Sequence, residues 1–194
     1  MNIASAARQQ QFMAKAEQVS DSLIHSFWLP WAIIAFGVFV RINQFAHGRA
    51  LWLDEIRLAL NILNRSFADL TLPLDYDQGS PVGFLWLEKL MVELFGHSDA
   101  VLRLLPLAAS ILALLLFYAV ARRLLRPRAM LLALLFFAVA GPVIYYGSEV
   151  KQYSSDVFVT VVVLWIGLEL LSRTLTPART ILYALLGAGV RVLD

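Results

Sequence analysis

Long stretches of apolar residues alternate with polar segments along the 194-residue chain. A membrane-spanning helix needs roughly 20 mostly apolar residues, and four of the stretches approach that length. These four cover residues 23–40, 104–121, 129–146 and 153–168, and a fifth apolar stretch begins at Ile181. Because backbone polar groups in lipid must be satisfied within the protein, the pattern predicts an all-α, polytopic integral membrane protein with about five transmembrane helices.

Two further segments, residues 51–64 and 81–95, combine helical periodicity with charged positions. Apolar residues recur there every three or four positions, which is typical of an amphipathic helix. The predicted apolar faces comprise Trp52, Ile56, Ala59, Leu60 and Leu63 in the first segment, and Phe84, Leu87, Met91 and Leu94 in the second. The polar positions comprise Asp54, Arg57, Asn61 and Asn64 in the first segment, and Glu88, Lys89 and Glu93 in the second. We expect both helices to lie on the membrane surface.

Basic residues in short loops predict the orientation of a membrane protein. Residues 122–128 contain four Arg residues and no acidic residue, so this loop should be cytoplasmic. Counting spans back from it places residues 42–103 outside, with 8 of the 14 acidic residues, and the N-terminus inside. Arg41 and Arg49 oppose this orientation, because they follow the first span on its outer side. If residues 81–95 crossed the membrane, the N-terminus would instead lie outside.

The chain is predicted to form one membrane domain preceded by a polar leader. Residues 1–22 form the cytoplasmic leader, and residues 23–194 form the membrane domain, in which residues 42–103 are a large outer loop. The final apolar stretch, residues 181–190, is too short to cross a bilayer. We therefore expect the domain to be incomplete at its C-terminus and the chain to be a fragment of a longer protein.

Composition supports a membrane protein and excludes several classes of function. The chain is 60% hydrophobic and 15% charged, whereas a soluble domain is roughly 45–50% hydrophobic and about 25% charged. With a net charge of only +2, the chain offers no basic surface for a nucleic-acid partner. The absence of cysteine excludes disulfides and thiolate metal sites. No phosphate-binding loop or zinc-protease motif is present.

Two adjacent carboxylates, Asp54 and Glu55, provide the first candidate for chemistry. A carboxylate at the membrane surface can act as a general base toward a hydroxyl group that arrives from the aqueous side. The pair can equally be the solvated polar face of an amphipathic helix. The residues alone leave both interpretations open.

A polar segment between two predicted spans, residues 145–156, provides the second candidate. Ionisable residues at membrane depth are costly and therefore often functional, and Lys151 could hold a lipid phosphate as a point charge. The alternative is an ordinary polar turn with tyrosines as interface anchors. Arg103, at the start of the second span, is either an interface residue whose charge reaches water or a ligand for an anion.

Four short motifs occur in one order between residues 23 and 173. They are Leu51-Trp52-Leu53-Asp54-Glu55, then Gly79-Ser80-Pro81 opening a helix that ends at Leu94-Phe95-Gly96, then Val101-Leu102-Arg103-Leu104-Leu105-Pro106, and last Tyr145-Tyr146-Gly147-Ser148-Glu149-Val150-Lys151-Gln152-Tyr153. In this order they resemble the N-terminal part of the GT-C membrane glycosyltransferases, the superfamily of protein O-mannosyltransferases and bacterial lipid A aminoarabinose transferases. The chain looks closest to bacterial members that modify lipopolysaccharide cores.

The resemblance implies an enzyme of the cell envelope. Family members take a sugar from a polyprenyl-phosphate donor and pass it to an acceptor, with inversion at the anomeric carbon. The expected acceptor is a lipid, a glycan or a protein on the outer face of the plasma (inner) membrane. No cofactor is expected, and in particular no metal, since a lipid monophosphate carries less charge than a pyrophosphate.

The resemblance also assigns roles to residues by their positions in the shared motifs. Asp54 is the expected catalytic base, which takes the proton of the acceptor hydroxyl, and Glu55 is expected to orient Asp54 or the acceptor. The cations expected to offset the charge of the departing lipid phosphate are Arg103 and Lys151. The residues expected to shape the donor cavity are Glu149 and Tyr153.

Two other classes of function stay open from the sequence. The chain could be a non-catalytic membrane module or assembly partner of a complete transferase, or it could be a transporter of lipid-linked sugars. A scaffold has no need of the acidic pair at Asp54 and Glu55. A transporter should have broken spans with polar residues near mid-membrane, whereas the predicted spans are almost free of polar groups in their interiors.

Overall fold

A computed structural model describes residues 27–172 together with residue 181, and the regular elements in this part of the chain are helical. The helices are α1 (Trp28–Ala46), α2 (Leu53–Asn64), α3 (Val82–Phe95), α4 (Asp99–Leu102), α5 (Leu104–Leu124), α6 (Pro127–Val139), α7 (Gly141–Tyr146) and α8 (Tyr153–Ser172). Two 3-10 turns, Asp69–Thr71 and Asp75–Asp77, lie between α2 and α3. The predicted all-α class is confirmed. The predicted leader and nearly all of the fifth apolar stretch lie outside the described residues.

Three helical segments among the described residues are long and apolar enough to cross a membrane. They are Trp28–Ala46, Asp99–Leu124 and Tyr153–Leu171. The predicted span at 129–146 is instead divided into α6 and α7, because the backbone of Ala140 is not helical and Pro142 follows it. Proline has no backbone N–H and cannot continue a helical hydrogen-bond ladder. The expected number of five spans stays a prediction.

The first span is longer than its apolar sequence indicates. We expected it to end before Arg41, but α1 continues to Ala46, and Arg41 is buried inside the bundle with 1% of its surface exposed. The expectation that the span interiors are almost free of polar groups was therefore wrong at this position. The Arg41 charge no longer belongs to the outer loop, which removes one of the two objections to the predicted orientation.

Close packing of four helices, α1, α5, α6 and α8, forms the core of the bundle. Helix α5 packs along α8 and also contacts α1 and α6. Gly37 of α1 lies at the crossing, where a Cβ atom would come within 2.7 Å of Leu114 Cδ2 and 3.0 Å of Ala138 Cβ. The absence of a side chain at this position thus allows α1 to approach both neighbouring helices.

We expect Gly37→Leu to destabilise the bundle by about 1–3 kcal/mol, because overpacking a filled core forces side chains and backbone to shift. Gly167→Leu on α8 is the matched control, since a Cβ atom there meets nothing within 4 Å. Thermal unfolding in detergent micelles measures both variants. Equal unfolding temperatures for the two variants would show that the close approach at Gly37 does not limit the packing.

A second apolar cluster joins α2, α3 and α4 to the turn that precedes α8. Its buried members are Leu58, Ala59, Ile62, Leu70, Phe84, Leu85, Val92, Val101, Leu102 and Val150. Val150 comes from the turn between α7 and α8, so this cluster ties the segment between α1 and α5 to the end of the bundle. The candidate chemical groups lie next to Val150.

Parts of the predicted polar faces of α2 and α3 are buried. Trp52 and Ile56, expected on the apolar face of α2, are 48% and 41% exposed, whereas Asn61 of the predicted polar face is buried. On α3, Glu88 and Lys89 are also buried, although they lie off the predicted apolar stripe. Burial raises the pKa of the Glu88 carboxyl well above its ordinary value. The apolar stripe of α3 stays partly exposed, and its placement on the membrane surface remains a prediction.

Candidate active site

The candidate active site lies at one end of the bundle, where five segments of the chain meet. Arg103 at the start of α5 donates to the carbonyl oxygen of Arg49 at 2.6 Å, just after α1. Arg49 in turn donates to the hydroxyl of Tyr145, on α7, at 3.0 Å. The backbone N–H of Val150 donates to Glu55 of α2 at 2.9 Å. These contacts bring together residues that are as much as 96 positions apart.

Asp54, on the first turn of α2, holds a different partner on each carboxylate oxygen. Lys151 Nζ is 2.7 Å from Asp54 Oδ2, and Gln78 Nε2 donates to Oδ1 at 2.9 Å. Lys151 also donates to Gln78 Oε1 at 2.8 Å, so the three side chains close a triangle. The Asp54 side chain is 31% exposed and that of Lys151 only 6%. The carboxylate is therefore accessible from solvent while its cation lies behind it.

The triangle keeps Asp54 ionised. The hydrogen bond from Lys151 is the largest cause that lowers the pKa of the Asp54 carboxyl below its ordinary value, and the bond from Gln78 acts in the same direction. Partial burial opposes them but does not prevail. At neutral pH Asp54 is thus ionised. Its lowered pKa makes it a weak acceptor of protons as long as Lys151 and Gln78 are bonded to it.

We expect Gln78→Leu to move the acidic limb of the activity profile toward higher pH. The Asp54 pKa is depressed in the native protein, so the charged form survives until the pH falls through that low value. Loss of the Gln78 bond raises the pKa, and Asp54 then becomes protonated earlier on acidification. The measurement is the pH dependence of sugar transfer, with Gln152→Leu as control because Gln152 bonds Ser80 instead. An acidic limb at the same pH in both variants would contradict the effect of the Gln78 bond on the pKa of Asp54.

Glu55 is fully buried and fixes α2 against the turn before α8. One carboxylate oxygen accepts from the N–H of Val150 at 2.9 Å, and the other accepts from the N–H of Trp52 at 3.2 Å at the helix start. Arg49 and Arg103 lie 3.4 and 3.5 Å from the same carboxylate. Because Asp54 and Lys151 are the sequence neighbours of Glu55 and Val150, these bonds also hold the distance between Asp54 and Lys151.

A second buried carboxylate, Glu149, completes the network. Arg49 Nη2 is 3.0 Å from Glu149 Oε1, and the Arg49 guanidinium lies 4.7 Å from the centre of the Tyr145 ring. Within the described part of the chain, Glu149 Oε2 is buried without a hydrogen-bond partner. Three acidic and three basic side chains thus balance at this end of the bundle: Asp54, Glu55 and Glu149 against Arg49, Arg103 and Lys151.

The structure brings five of the six sequence-predicted site residues into one network and places the sixth beside it. The five are Asp54, Glu55, Arg103, Glu149 and Lys151. The sixth, Tyr153, contacts Tyr146 with ring centres 4.7 Å apart. Arg103 is 3% exposed and lies behind Glu55, so its role toward a phosphate stays a prediction.

Sequence analysis missed two members of the network, Arg49 and Gln78. The sequence signal for Arg49 was its positive charge on the predicted outer side, which orientation rules disfavour. Such an exception indicates a charge with a specific partner, here Glu149. Gln78 lies in a turn-rich connection, and the backbone of the preceding Tyr76 and Asp77 has positive φ angles of 63° and 56°. No sequence pattern indicates that this connection brings Gln78 to Asp54.

A cavity of about 300 Å³ adjoins the network between α5, α7 and α8. Its lining residues are Ser110, Pro142, Val143, Tyr146, Tyr153, Ser154, Asp156 and Val157. The lining is mostly apolar, with Asp156 as its one charged residue. Among the described residues, no three His, Asp or Glu side chains form a group that could hold a metal ion. Independence from metal stays a prediction.

Comparison with known proteins identifies the family. The site is a solvent-accessible carboxylate beside a cation at one end of a membrane bundle, an arrangement suited to group transfer. The family model of dolichyl-phosphate-mannose-protein mannosyltransferases matches residues 79–192. The match covers more than half of the chain, so the chain belongs to this family of GT-C-type membrane glycosyltransferases. No curated protein and no solved structure matches the chain.

The matched range covers only part of the candidate site. It begins at Gly79, one residue after Gln78, and it includes Arg103, Glu149, Lys151 and Tyr153. Asp54 and Glu55 precede it, so their assignment rests on the contacts that join them to the matched part. Those contacts are the ion pair of Asp54 with Lys151 and the bond from Val150 to Glu55. The likeness to transferases of lipopolysaccharide cores stays a prediction.

Proposed function

We propose that the protein transfers a sugar from a polyprenyl-phosphate donor to a hydroxyl group of an acceptor at the outer face of the membrane, with inversion at the anomeric carbon. The observation that carries the proposal is the Asp54–Lys151 ion pair of 2.7 Å at one end of the bundle. Glycosyl transfer from a lipid phosphate needs a base for the incoming hydroxyl and a positive charge for the departing phosphate. This pair supplies both groups side by side.

In the proposed reaction, Asp54 accepts the proton of the acceptor hydroxyl while its oxygen attacks the anomeric carbon. The bond between that carbon and the phosphate oxygen breaks, and its electron pair leaves with the lipid phosphate. Lys151 stabilises the negative charge that develops on the phosphate oxygen. Attack opposite to the leaving group inverts the configuration of the sugar, and no covalent intermediate with the protein is required.

In the proposed reaction, the Asp54–Lys151 pair also controls when Asp54 acts as a base. A carboxylate with a depressed pKa is a weak base. When the donor phosphate engages Lys151, the cation is shared, and Asp54 regains affinity for a proton. Binding of the donor therefore prepares the base, which limits proton transfer to the complex that can react.

The other predicted site residues take supporting roles in this proposal. Glu55 is buried, so it positions Asp54 through the bond to Val150 rather than contacting the acceptor. Arg49 and Glu149 hold the turn that carries Lys151. Arg103 supports Arg49 and Glu55, and it reaches a phosphate only if the network opens. Tyr153 lines the cavity, which the proposal assigns to the donor.

The proposed location of the site is the outer face of the plasma membrane. Helix α5 begins at the site, and its opposite end is basic, with Arg122 and Arg123 in its last turn and Arg126 and Arg128 at the short connection to α6. Basic short loops stay in the cytoplasm, which favours an outer position for the opposite end. Arg49, the remaining objection to this orientation, is neutralised by Glu55 and Glu149.

The transporter alternative receives one observation in its favour. Helices α6 and α7 are the halves of a broken apolar segment, and Arg41 is buried beside the break. Transporters commonly bind substrates at such breaks. Here, however, the Arg41 guanidinium donates to Ser110 and to backbone carbonyls. Its donors are therefore already bonded within the protein.

Parallel assays on the purified chain separate the classes of function. Proteoliposomes would receive a radiolabelled polyprenyl-phosphate sugar and a mixture of lipid, glycan and peptide acceptors. The proposal predicts label on an acceptor, and the transporter alternative predicts movement of the donor across the bilayer without transfer. A non-catalytic module would do neither, and that outcome would contradict the proposal.

A further inference from the structure

Arg41 lies in the span α1 and uses its guanidinium to satisfy the break between α6 and α7. In an unbroken helix the carbonyl of Ala138 would accept a bond from the N–H of residue 142, but Pro142 has none. Arg41 Nη1 donates to this carbonyl at 2.9 Å, and Nη2 donates to that of Phe137 at 3.3 Å. Unsatisfied carbonyls are costly inside a membrane, so the arginine makes the break possible.

The same guanidinium extends the connection to α5 and α7. Arg41 Nε donates to Ser110 Oγ at 2.9 Å, and Ser110 Oγ donates to the carbonyl of Val143, on α7, at 3.2 Å. Ser110 is also in close contact with the end of α7, where a Cβ atom on Gly147 would lie 3.0 Å from both Ser110 Cβ and Oγ. Arg41 thus holds the end of α6 directly and the middle of α7 through Ser110, and Ser110 also packs against Gly147, just after α7.

The end of α7 leads directly into the candidate active site. Tyr145 on α7 accepts a bond from Arg49, and the turn that begins at Gly147 carries Glu149 and Lys151. A shift of α7 would therefore move Lys151 relative to Asp54. Active groups need placement within fractions of an ångström, and a misplacement of about 1 Å can cost about a hundredfold in rate.

We infer that Arg41 and Ser110 are a buried positioning pair, which fixes α7 through the helix break and thereby sets the contact of Lys151 with Asp54. The inference rests on the proposed function, because it names positioning residues for that site. The pair does not touch the reacting groups and acts through the backbone of α7. Lysine cannot replace Arg41, since a single ammonium group does not reproduce the planar fork of donors that joins the separate acceptors.

The test compares Ser110→Ala and Arg41→Lys with Thr160→Val, a control that removes a hydroxyl bonded within α8. Amide hydrogen exchange measured by mass spectrometry gives a readout that does not require activity. We expect faster exchange in residues 141–152, including the Val150 amide that donates to Glu55, and unchanged exchange in α2. In the transfer assay we expect kcat to fall about tenfold to a hundredfold while the donor KM changes less.

The outcomes distinguish this inference from the proposed function. Faster exchange confined to residues 141–152 with lower kcat supports it. If the intact chain transfers no sugar but the exchange change is found, the proposed function fails and the positioning of α7 stands. Unchanged exchange in 141–152 overturns the inference. A uniform rise of exchange across the described helices also overturns it, because the pair would then serve general stability.

Discussion

Asp54→Asn should reduce the rate of sugar transfer by about 10²–10⁴-fold, the usual contribution of a general base. Asparagine has nearly the same shape and keeps one acceptor oxygen, enough to bond either Lys151 or Gln78, but it cannot take the proton of the acceptor hydroxyl. The measurement is kcat for transfer from a polyprenyl-phosphate sugar in detergent or nanodiscs. Binding of the donor should persist, because the groups that face its phosphate are intact.

Asp77→Asn is the matched control for this variant. Asp77 is an exposed carboxylate in the turn Asp75–Asp77, near the site in sequence but outside the Asp54 triangle. Asparagine tolerates the positive φ of this residue, so the control should fold and transfer sugar at the normal rate. Transfer at a near-normal rate by Asp54→Asn, with normal expression, would contradict the role of Asp54 as the base.

Lys151→Met should reduce kcat by about 10²–10³-fold, since removal of one preorganised donor from a developing negative charge has an effect of that size. Methionine keeps the length of the side chain and removes its charge. The apparent affinity for the donor should also fall, because Lys151 is the cation nearest to the accessible carboxylate. Steady-state kinetics over a range of donor concentrations separate the two effects.

Lys89→Met controls for the loss of a buried lysine. Lys89 lies on α3, donates to the carbonyl of Leu63 and lies 3.9 Å from Glu93, away from the triangle. We expect its kcat to stay within a factor of about two of the unmodified chain, because Lys89 contacts no member of the triangle and a long ion pair to the half-exposed Glu93 contributes little. A loss of kcat in Lys89→Met as large as that in Lys151→Met would show that neither lysine acts on the phosphate.

The helical class and the apolar stretches could be predicted from sequence, because lipid exposure requires long uninterrupted runs of apolar residues. The end of the first span could not be predicted from sequence. Arg41 looks like the residue that terminates an apolar run, yet α1 continues to Ala46. Only the broken segment of α6 and α7 offers the free carbonyls that allow an arginine to be buried there, and that partner lies 97 positions away.

The buried charges of α2 and α3 could not be predicted, for a physical reason. Periodicity identifies an apolar side but does not tell whether protein or lipid covers it. In α2, Ile56 was expected on the apolar face and is 41% exposed, while Glu55 is fully buried. A charged residue can be buried only with partners, and the partners of Glu55 come from other segments of the chain.

The adjacent residues Asp54 and Glu55 show what could not be predicted about the site from sequence. Asp54 and Glu55 look equivalent in the sequence, whereas the structure separates an accessible carboxylate from a buried one. The resemblance to known transferases placed both in the site together with Lys151. It could not supply Arg49 or Gln78, because their place depends on how the connections after α1 and after α2 fold over the end of the bundle.

The proposed reaction is a single displacement at the anomeric carbon, with Asp54 as the base. The anomeric configuration of the first product, determined by NMR on sugar transferred from a donor of known configuration, tests it most directly. We expect inversion, with the product configuration opposite to that of the donor. Retention of configuration would contradict it, because two successive displacements would then be needed and a group of the protein would have to act as nucleophile.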